Sequence, residues 1–152
     1  MLIDYFKLRD SAKDPVRANP SDAGLDVFYC PSDGRKQIKI QPGQSVVLET
    51  GLKFGVPHGF MLEVKNRSSM AAKKQLIVGA CVIDPGYNGE LMVNLHNVSK
   101  QEKVVNYGDK IAQVVMIPIV HFRARKLMTD TLYNSPICVS NRGSGGFGST
   151  GG

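Results

Sequence analysis

The carboxylate best placed for chemistry in this chain is Asp84. It closes the apolar stretch Val82-Ile83 and opens the turn Pro85-Gly86-Tyr87. A carboxylate where a strand runs into a turn, partly buried at the mouth of a hairpin, can orient a water and take its proton. The same position also suits a plain Asx-type turn cap. Asp26, in Ala23-Gly24-Leu25-Asp26, is similarly placed beside a small-residue turn and reads equally as an internally satisfied structural aspartate. Arg67-Ser68-Ser69 brings a guanidinium and two hydroxyls together at the start of a short helix-like stretch. Free backbone N–H groups at such a start, with an arginine beside them, can hold an anion; an ordinary N-cap with a surface arginine has the same composition.

Residues 142–152 read RGSGGFGSTGG and hold six of the sixteen glycines. Such a segment has no reason to order itself. Its glycines let backbone N–H groups approach phosphate oxygens. Arg142, Ser149 and Thr150 can contact phosphates and Phe147 can stack on a base, which together describe a flap closing over a nucleotide. His58, His96 and His121 show no metal-ligand spacing, and Cys30, Cys81 and Cys138 form no paired motif. Histidines and cysteines are therefore expected to be structural.

Composition narrows the class. A length of 152 residues suggests one domain, and 42% apolar residues suffice for a core. No apolar run approaches a membrane span, and the opening MLIDYFKLRD lacks signal-peptide character, so a cytoplasmic protein without membrane contact is expected. The net charge of +6 suits a polyanionic partner but does not choose one. Direct nucleic-acid binding is not expected, because no reading helix or aromatic platform is recognisable.

The elements that must position these groups read mostly as short strands. Residues 38–40, 45–50, 60–64, 91–95 and 111–120 are β-rich runs punctuated by Gly/Pro turns, and Asn88-Gly89 predicts a tight hairpin turn. Residues 67–74 predict one short helix, with Ser68 or Ser69 as N-cap and Lys73 and Lys74 at its C-terminal end. The expectation is an all-β sandwich or barrel over residues 1–141, followed by a glycine-rich flap over 142–152.

These motifs, in this order, resemble the trimeric dUTPases. Residues 23–26, 67–71, 79–89, 108–113 and 142–151 correspond to five family motifs. The resemblance implies a distorted jelly-roll subunit with one short helix and a homotrimer with active sites at its interfaces. One subunit would supply the second and fourth motifs, a neighbour the third, and another tail would close the site. It implies Mg2+-assisted hydrolysis of dUTP to dUMP and pyrophosphate, which limits uracil incorporation into DNA and supplies dUMP for dTMP synthesis.

By that resemblance Asp84 activates the water that attacks the α-phosphorus. Tyr87 packs under the deoxyribose and crowds a ribose 2′-OH. The backbone of Cys81, Val82, Ile83 and Met92 pairs with the uracil edge. Arg67, Ser68, Ser69 and Gln113 hold phosphates, and Asp26 acts on the metal through water. Arg142 reaches the γ-phosphate, Phe147 covers the uracil, and Gly148, Ser149 and Thr150 close over the phosphates.

Four features depart from the commonest pattern: Leu25, Ser69, Pro85-Gly86 after Asp84, and a longer stretch between Gln113 and Arg142. That stretch contains the 129–141 loop, read as a surface insertion or a protein-partner site. Arg-Ser-Ser and Ile-Asp-Pro-Gly also resemble dCTP deaminases of the same fold, raising a deaminase or bifunctional alternative. The deaminase glutamate, however, corresponds to Asn94, and an amide is no general base. A regulatory nucleotide-binding protein on the same scaffold is the third reading.

Overall fold

A computed structural model describes residues 1–133. The chain divides into two compact units, residues 1–121 and residues 122–152. The expected boundary at 141/142, and most of the 129–141 loop, lie outside the described residues.

The first unit is built of eleven strands: β1 (Asp4–Lys7), β2 (Leu25–Phe28), β3 (Gln37–Ile40), β4 (Ser45–Glu49), β5 (Leu52–Gly55), β6 (Phe60–Lys65), β7 (Leu76–Val78), β8 (Val82–Ile83), β9 (Met92–Asn97), β10 (Lys103–Asn106) and β11 (Lys110–Pro118). They form a four-stranded sheet β2-β11-β6-β8, a three-stranded sheet β4-β9-β7, and the pairs β1-β5 and β10-β3. Every pairing is antiparallel.

Period-two alternation fixes which face is buried. On β9, Val93 and Leu95 point into the core while Met92, Asn94 and His96 face outward. On β6, Leu62 and Val64 are buried, and Glu63 and Lys65 lie on the other face. These join Val27, Ile40, Leu48, Leu52, Leu76, Val105, Ile111 and Val114 in one contiguous core. The buried Asn97 is fully satisfied: its amide nitrogen donates to the carbonyls of Ile40 and Gln101, and its oxygen accepts from Ser99.

Two local expectations are corrected. The predicted short helix is present, Ser68 and Ser69 opening it with the Ala71 N–H donating to the Arg67 carbonyl at 3.0 Å, but its body, Met70–Lys74, is π-helical. Ser69 occupies the cap position but makes no side-chain capping bond, because its own backbone is helical (φ −67°, ψ −36°). A capping serine needs an extended backbone to fold its hydroxyl back over the first turn. Lys73 and Lys74 do lie in the last turn.

Asn88-Gly89 does not close a hairpin between β8 and β9. β8 pairs with β6, and β9 pairs with β4 and β7. The sharp reversal comes earlier, at Pro85-Gly86, where Gly86 has φ +86° and the Tyr87 N–H donates to the Asp84 carbonyl at 3.2 Å. Leu91 is instead drawn to β5, its N–H donating to the Leu52 carbonyl at 2.7 Å. That competing tertiary bond overrides the local turn preference.

Candidate active site

The predicted phosphate-binding residues meet where β2, β11 and the end of β6 run side by side. Gln113 on β11 lies opposite Asp26 on β2 and opposite Lys65 on β6. Arg67 follows two residues beyond β6, and its Nε donates to Asp26 Oδ1 at 2.7 Å. The other carboxylate oxygen, Oδ2, is 2.8 Å from Lys110 Nζ. Asp26 is only 8% exposed, so both cations are held by a carboxylate largely removed from water, where charge-assisted bonds are strongest. Arg67 Nη1 also reaches Ser69 Oγ at 3.5 Å, and Gln113 Nε2 donates to the Asn66 carbonyl at 3.0 Å. Ser68 is exposed beside them.

Lys110 was not singled out as a site residue in the sequence. In a regular strand, residues three apart face opposite sides, so Lys110 and Gln113 should diverge. A β-bulge between Lys110 and Ala112 inserts one extra residue. It turns Lys110 back to the face that carries Asp26 and Gln113. No local composition signals it.

Gly24 also has a defined role here. A Cβ at that position would lie 2.7 Å from Gln113 Oε1 and 3.0 Å from the Val114 carbonyl. The absent side chain is what lets Gln113 lie across the first motif.

The predicted base-recognition segment has a different character. The groups expected to read a base there are backbone N–H and carbonyl groups. β7 and β9 pair as far as Val78 and Leu95, and the Gly79 N–H adds one bond to the Asn94 carbonyl at 2.9 Å. Gly79 is required there, since a Cβ would fall 2.2 Å from Asn94 Oδ1 and 2.3 Å from His96 Nε2. Beyond this point the strands part. The Cys81 carbonyl accepts from the Val64 N–H at 2.7 Å, and Val82 and Ile83 pair with Glu63 and Leu62. β8 is the outer strand of its sheet, so backbone groups on its far side have no strand partner among the described residues. Met92 pairs with Glu49 on β4, and β7 ends before reaching it.

Asp84 follows directly. The sequence led us to expect partial burial, but in this chain Asp84 is exposed. Its carboxylate has no hydrogen-bond or ion-pair partner among the described residues, so the turn is not held by an Asx cap. The reason is the position: Asp84 lies past the end of β8, the outer strand of its sheet. Tyr87 lies over Gly89, where a Cβ would be 2.4 Å from the Tyr87 hydroxyl oxygen, and that hydroxyl donates to the Glu90 carbonyl at 3.0 Å.

The two clusters are not together in one chain. β6 and β8 are antiparallel with Ile83 opposite Leu62, so Asp84 emerges beyond the N-terminal part of β6 while Arg67 lies past its C-terminal end. At ~3.3 Å per residue, the intervening residues separate Asp84 from Arg67 by roughly 15–20 Å. Within one copy the two predicted groups of residues therefore stand apart along β6.

Among the described residues no group of three His, Cys, Asp or Glu is arranged to hold a metal. Asp26 has spent one acceptor site of each oxygen on a cation. Its remaining lone pairs suit a water-mediated contact rather than direct ligation. That fits a Mg2+ carried mainly by phosphates and water, the usual mode for this ion. His96 Nε2 lies 2.9 Å from Asn94 Oδ1, His58 stacks on His121 at 4.7 Å, and Cys30 is buried. Cys81 is only half-buried, unlike the core residue expected. Cys138, Arg142, Phe147, Gly148, Ser149 and Thr150 lie outside the described residues. Among the described residues no helix is long and apolar enough to cross a membrane.

Comparison with known proteins follows the same lines. A deoxyuridine 5'-triphosphate nucleotidohydrolase of Hydrogenobaculum sp. is 34% identical over 95% of this chain and 94% of its own. One from Maricaulis maris is 37% identical over 90% and 86%. The fold matches that of a variant dUTPase from Staphylococcus bacteriophage 80alpha with dUpNHpp, with a TM-score of 0.83, 23% identity and 99% of both chains covered. A variant dUTPase from phage phi11 of S. aureus, described with a coordinated structural Mg(II) ion, superposes with a TM-score of 0.76 and 23% identity over 85% of this chain and 98% of that one. Residues 10–151 match the sequence model of the dUTPase family, and the chain belongs to that family.

Proposed function

We propose that this protein hydrolyses dUTP to dUMP and pyrophosphate, in a homotrimer whose active sites each draw on more than one copy. The observation that carries the reading is the division along β6. A cation-rich cluster of Arg67, Lys110 and Gln113 lies at one end, and the unpaired carboxylate of Asp84 at the other. Each half supplies what the other lacks, and a neighbouring copy brings them onto one substrate. Closed rotational symmetry then gives identical sites.

The chemistry assigns each group a task. Asp84 accepts a proton from a water whose oxygen bonds to the α-phosphorus. The bond from that phosphorus to the α,β-bridging oxygen breaks, and pyrophosphate leaves. Little covalent work falls to the protein, so positioning and charge neutralisation dominate. Arg67, Ser68, Ser69 and Gln113 bind phosphate oxygens. Asp26 holds Arg67 and Lys110 in place, so the cationic surface is formed before substrate arrives. Asp26 would hold Mg2+ through water, and the ion would supply further positive charge at the phosphates. The free edge of β8 at residues 81–83, with the backbone at Met92, offers donors and acceptors to the uracil edge. Tyr87 packs under the deoxyribose, and the 142–152 segment closes over the nucleotide.

The deaminase alternative is not favoured. Asn94 stands where that chemistry needs a glutamate. Its amide nitrogen donates to Ser45 Oγ at 2.7 Å and to the Val46 carbonyl, while its oxygen meets His96. It ties β9 to β4 and offers no base.

The test is pyrophosphate release across dUTP, dCTP, dTTP and UTP, run in 18O-labelled water. Fast release from dUTP alone, with the label in dUMP, is expected. Ammonia from dCTP, or label in pyrophosphate, contradicts the assignment.

A further inference from the structure

Tyr87 is held by more than its own loop. Its hydroxyl donates to the carbonyl of Glu90, and the Glu90 side chain is only 13% exposed. Glu90 Oε1 accepts from the guanidinium of Arg9 and from the Gly51 N–H, the latter at 2.6 Å. Arg9 is itself pinned, its Nε and Nη2 donating to the Cys30 carbonyl at 3.3 and 3.0 Å. Burial by itself would lower the proton affinity of Arg9, but the hydrogen bond and charge of Glu90 outweigh it, so the guanidinium is held above its ordinary value. The Gly51 corner admits no side chain: φ is +71°, and a Cβ would lie 2.6 Å from that of Ala12. Three distant segments, around Arg9, Gly51 and Glu90, therefore converge on one carboxylate.

We propose that the Arg9–Glu90 pair is a positioning element for sugar selection, fixing the main chain at Glu90 and, through its carbonyl, the ring of Tyr87. This rests on the reading that Tyr87 packs under the deoxyribose. A platform that excludes one added hydroxyl must be rigid, because a ring free to retreat by an ångström admits the ribose. The next residue is locked independently: the buried Leu91 donates to the Leu52 carbonyl, and its own carbonyl accepts from Thr50 Oγ1 at 2.7 Å. Glu90 is thus the link between a fixed frame and the Tyr87 ring. Arg9 and Glu90 touch no substrate; they act through Tyr87.

The experiment measures kcat and KM for dUTP and UTP in the full-length wild type and in Glu90→Gln, Arg9→Lys, Tyr87→Phe and the Glu90→Gln/Tyr87→Phe double variant. Glu90→Gln is nearly isosteric and retains an acceptor for Gly51, so it tests the pair with the least disturbance to folding. Coupled contacts of this kind carry ~2- to 100-fold effects, and a fall of about tenfold in the dUTP/UTP ratio of kcat/KM is expected for Glu90→Gln. Arg9→Lys should fall less, and the loss should fall on KM more than on kcat. Adding Glu90→Gln to Tyr87→Phe should lower the ratio no further, because the hydroxyl that transmits the effect is gone. An unchanged ratio in Glu90→Gln, or full additivity in the double variant, overturns the proposal even where thermal stability drops. If Tyr87→Phe leaves the ratio intact, the role given to Tyr87 fails and the proposal with it. Absence of dUTP turnover in the wild type overturns the assigned activity itself.

Discussion

The two ends of β6 solve different problems. Beyond its C-terminal end, Arg67 and Lys110 clasp the buried Asp26, and Gln113 lies across a glycine that leaves room for it. Charge is set out in advance, with orientation fixed by ion pairs. Near the N-terminal end, Asp84 is exposed with no side-chain partner among the described residues, and the turn around it is held by backbone bonds and Gly86. On the proposed reading the first region binds phosphates, and its ion pairs keep its shape. On the proposed reading the second region exchanges a proton, and no cation faces its carboxylate among the described residues.

Breaking the second region should have the largest effect on turnover. Asp84→Asn is expected to lower kcat by ~10²- to 10⁴-fold, the usual contribution of a general base, with dUTP binding largely kept in an equilibrium titration. Its melting midpoint should barely move, since exposed residues without partners shift stability by less than about 0.5 kcal/mol. Breaking the first region should show in both quantities. Arg67→Gln is expected to cut kcat/KM by about 10²-fold, comparable to removing one electrostatic stabiliser, in the same pyrophosphate assay. Asp26→Asn leaves two cations facing a neutral amide. A loss of about 1–2 kcal/mol in urea unfolding at fixed protein concentration is expected, reduced because both cations are partly hydrated.

Gly24→Ala sharpens the comparison more gently. The added methyl meets Gln113 Oε1 and the Val114 carbonyl, so Gln113 must move. KM should rise by roughly threefold to tenfold with a smaller change in kcat. The smallest effect is expected from Asp33, an exposed control whose carboxyl is held below its ordinary value chiefly by the side-chain hydrogen bond from Arg35. A depressed carboxyl contributes stability above its unfolded-state value and loses it as pH falls through the folded-state value. Only in the acid range should wild type and Asp33→Asn converge in a pH series of melting curves.

Much of this was legible before any coordinates. Alternating apolar runs marked β3, β4, β6, β9 and β11, the residues Asp26, Arg67 and Asp84 stood out by type and neighbourhood, and Gln113 entered through the family resemblance. What escaped were features set by distant contacts. Lys110 joins the site through a bulge that depends on pairing with β2. Asn88-Gly89 reads as a hairpin turn, yet Leu91 is claimed by β5. β8 has two residues and is defined only by its neighbour β6, so no periodicity announces it. Ser69 looks like a cap, but its helical backbone aims the hydroxyl elsewhere. Nor does any spacing in one chain reveal that Arg67 and Asp84 diverge; that follows only from the antiparallel register of β6 with β8.

The central claim is that each active site takes Arg67 from one copy and Asp84 from another. Asp84→Asn and Arg67→Gln subunits, each inactive alone, can be unfolded together and refolded at equal concentration. Random assembly of a closed ring then rebuilds an intact pairing at about one site in four, so roughly a quarter of wild-type turnover should return. A refolded mixture no more active than either variant alone would place both residues in a site within one chain and contradict the account.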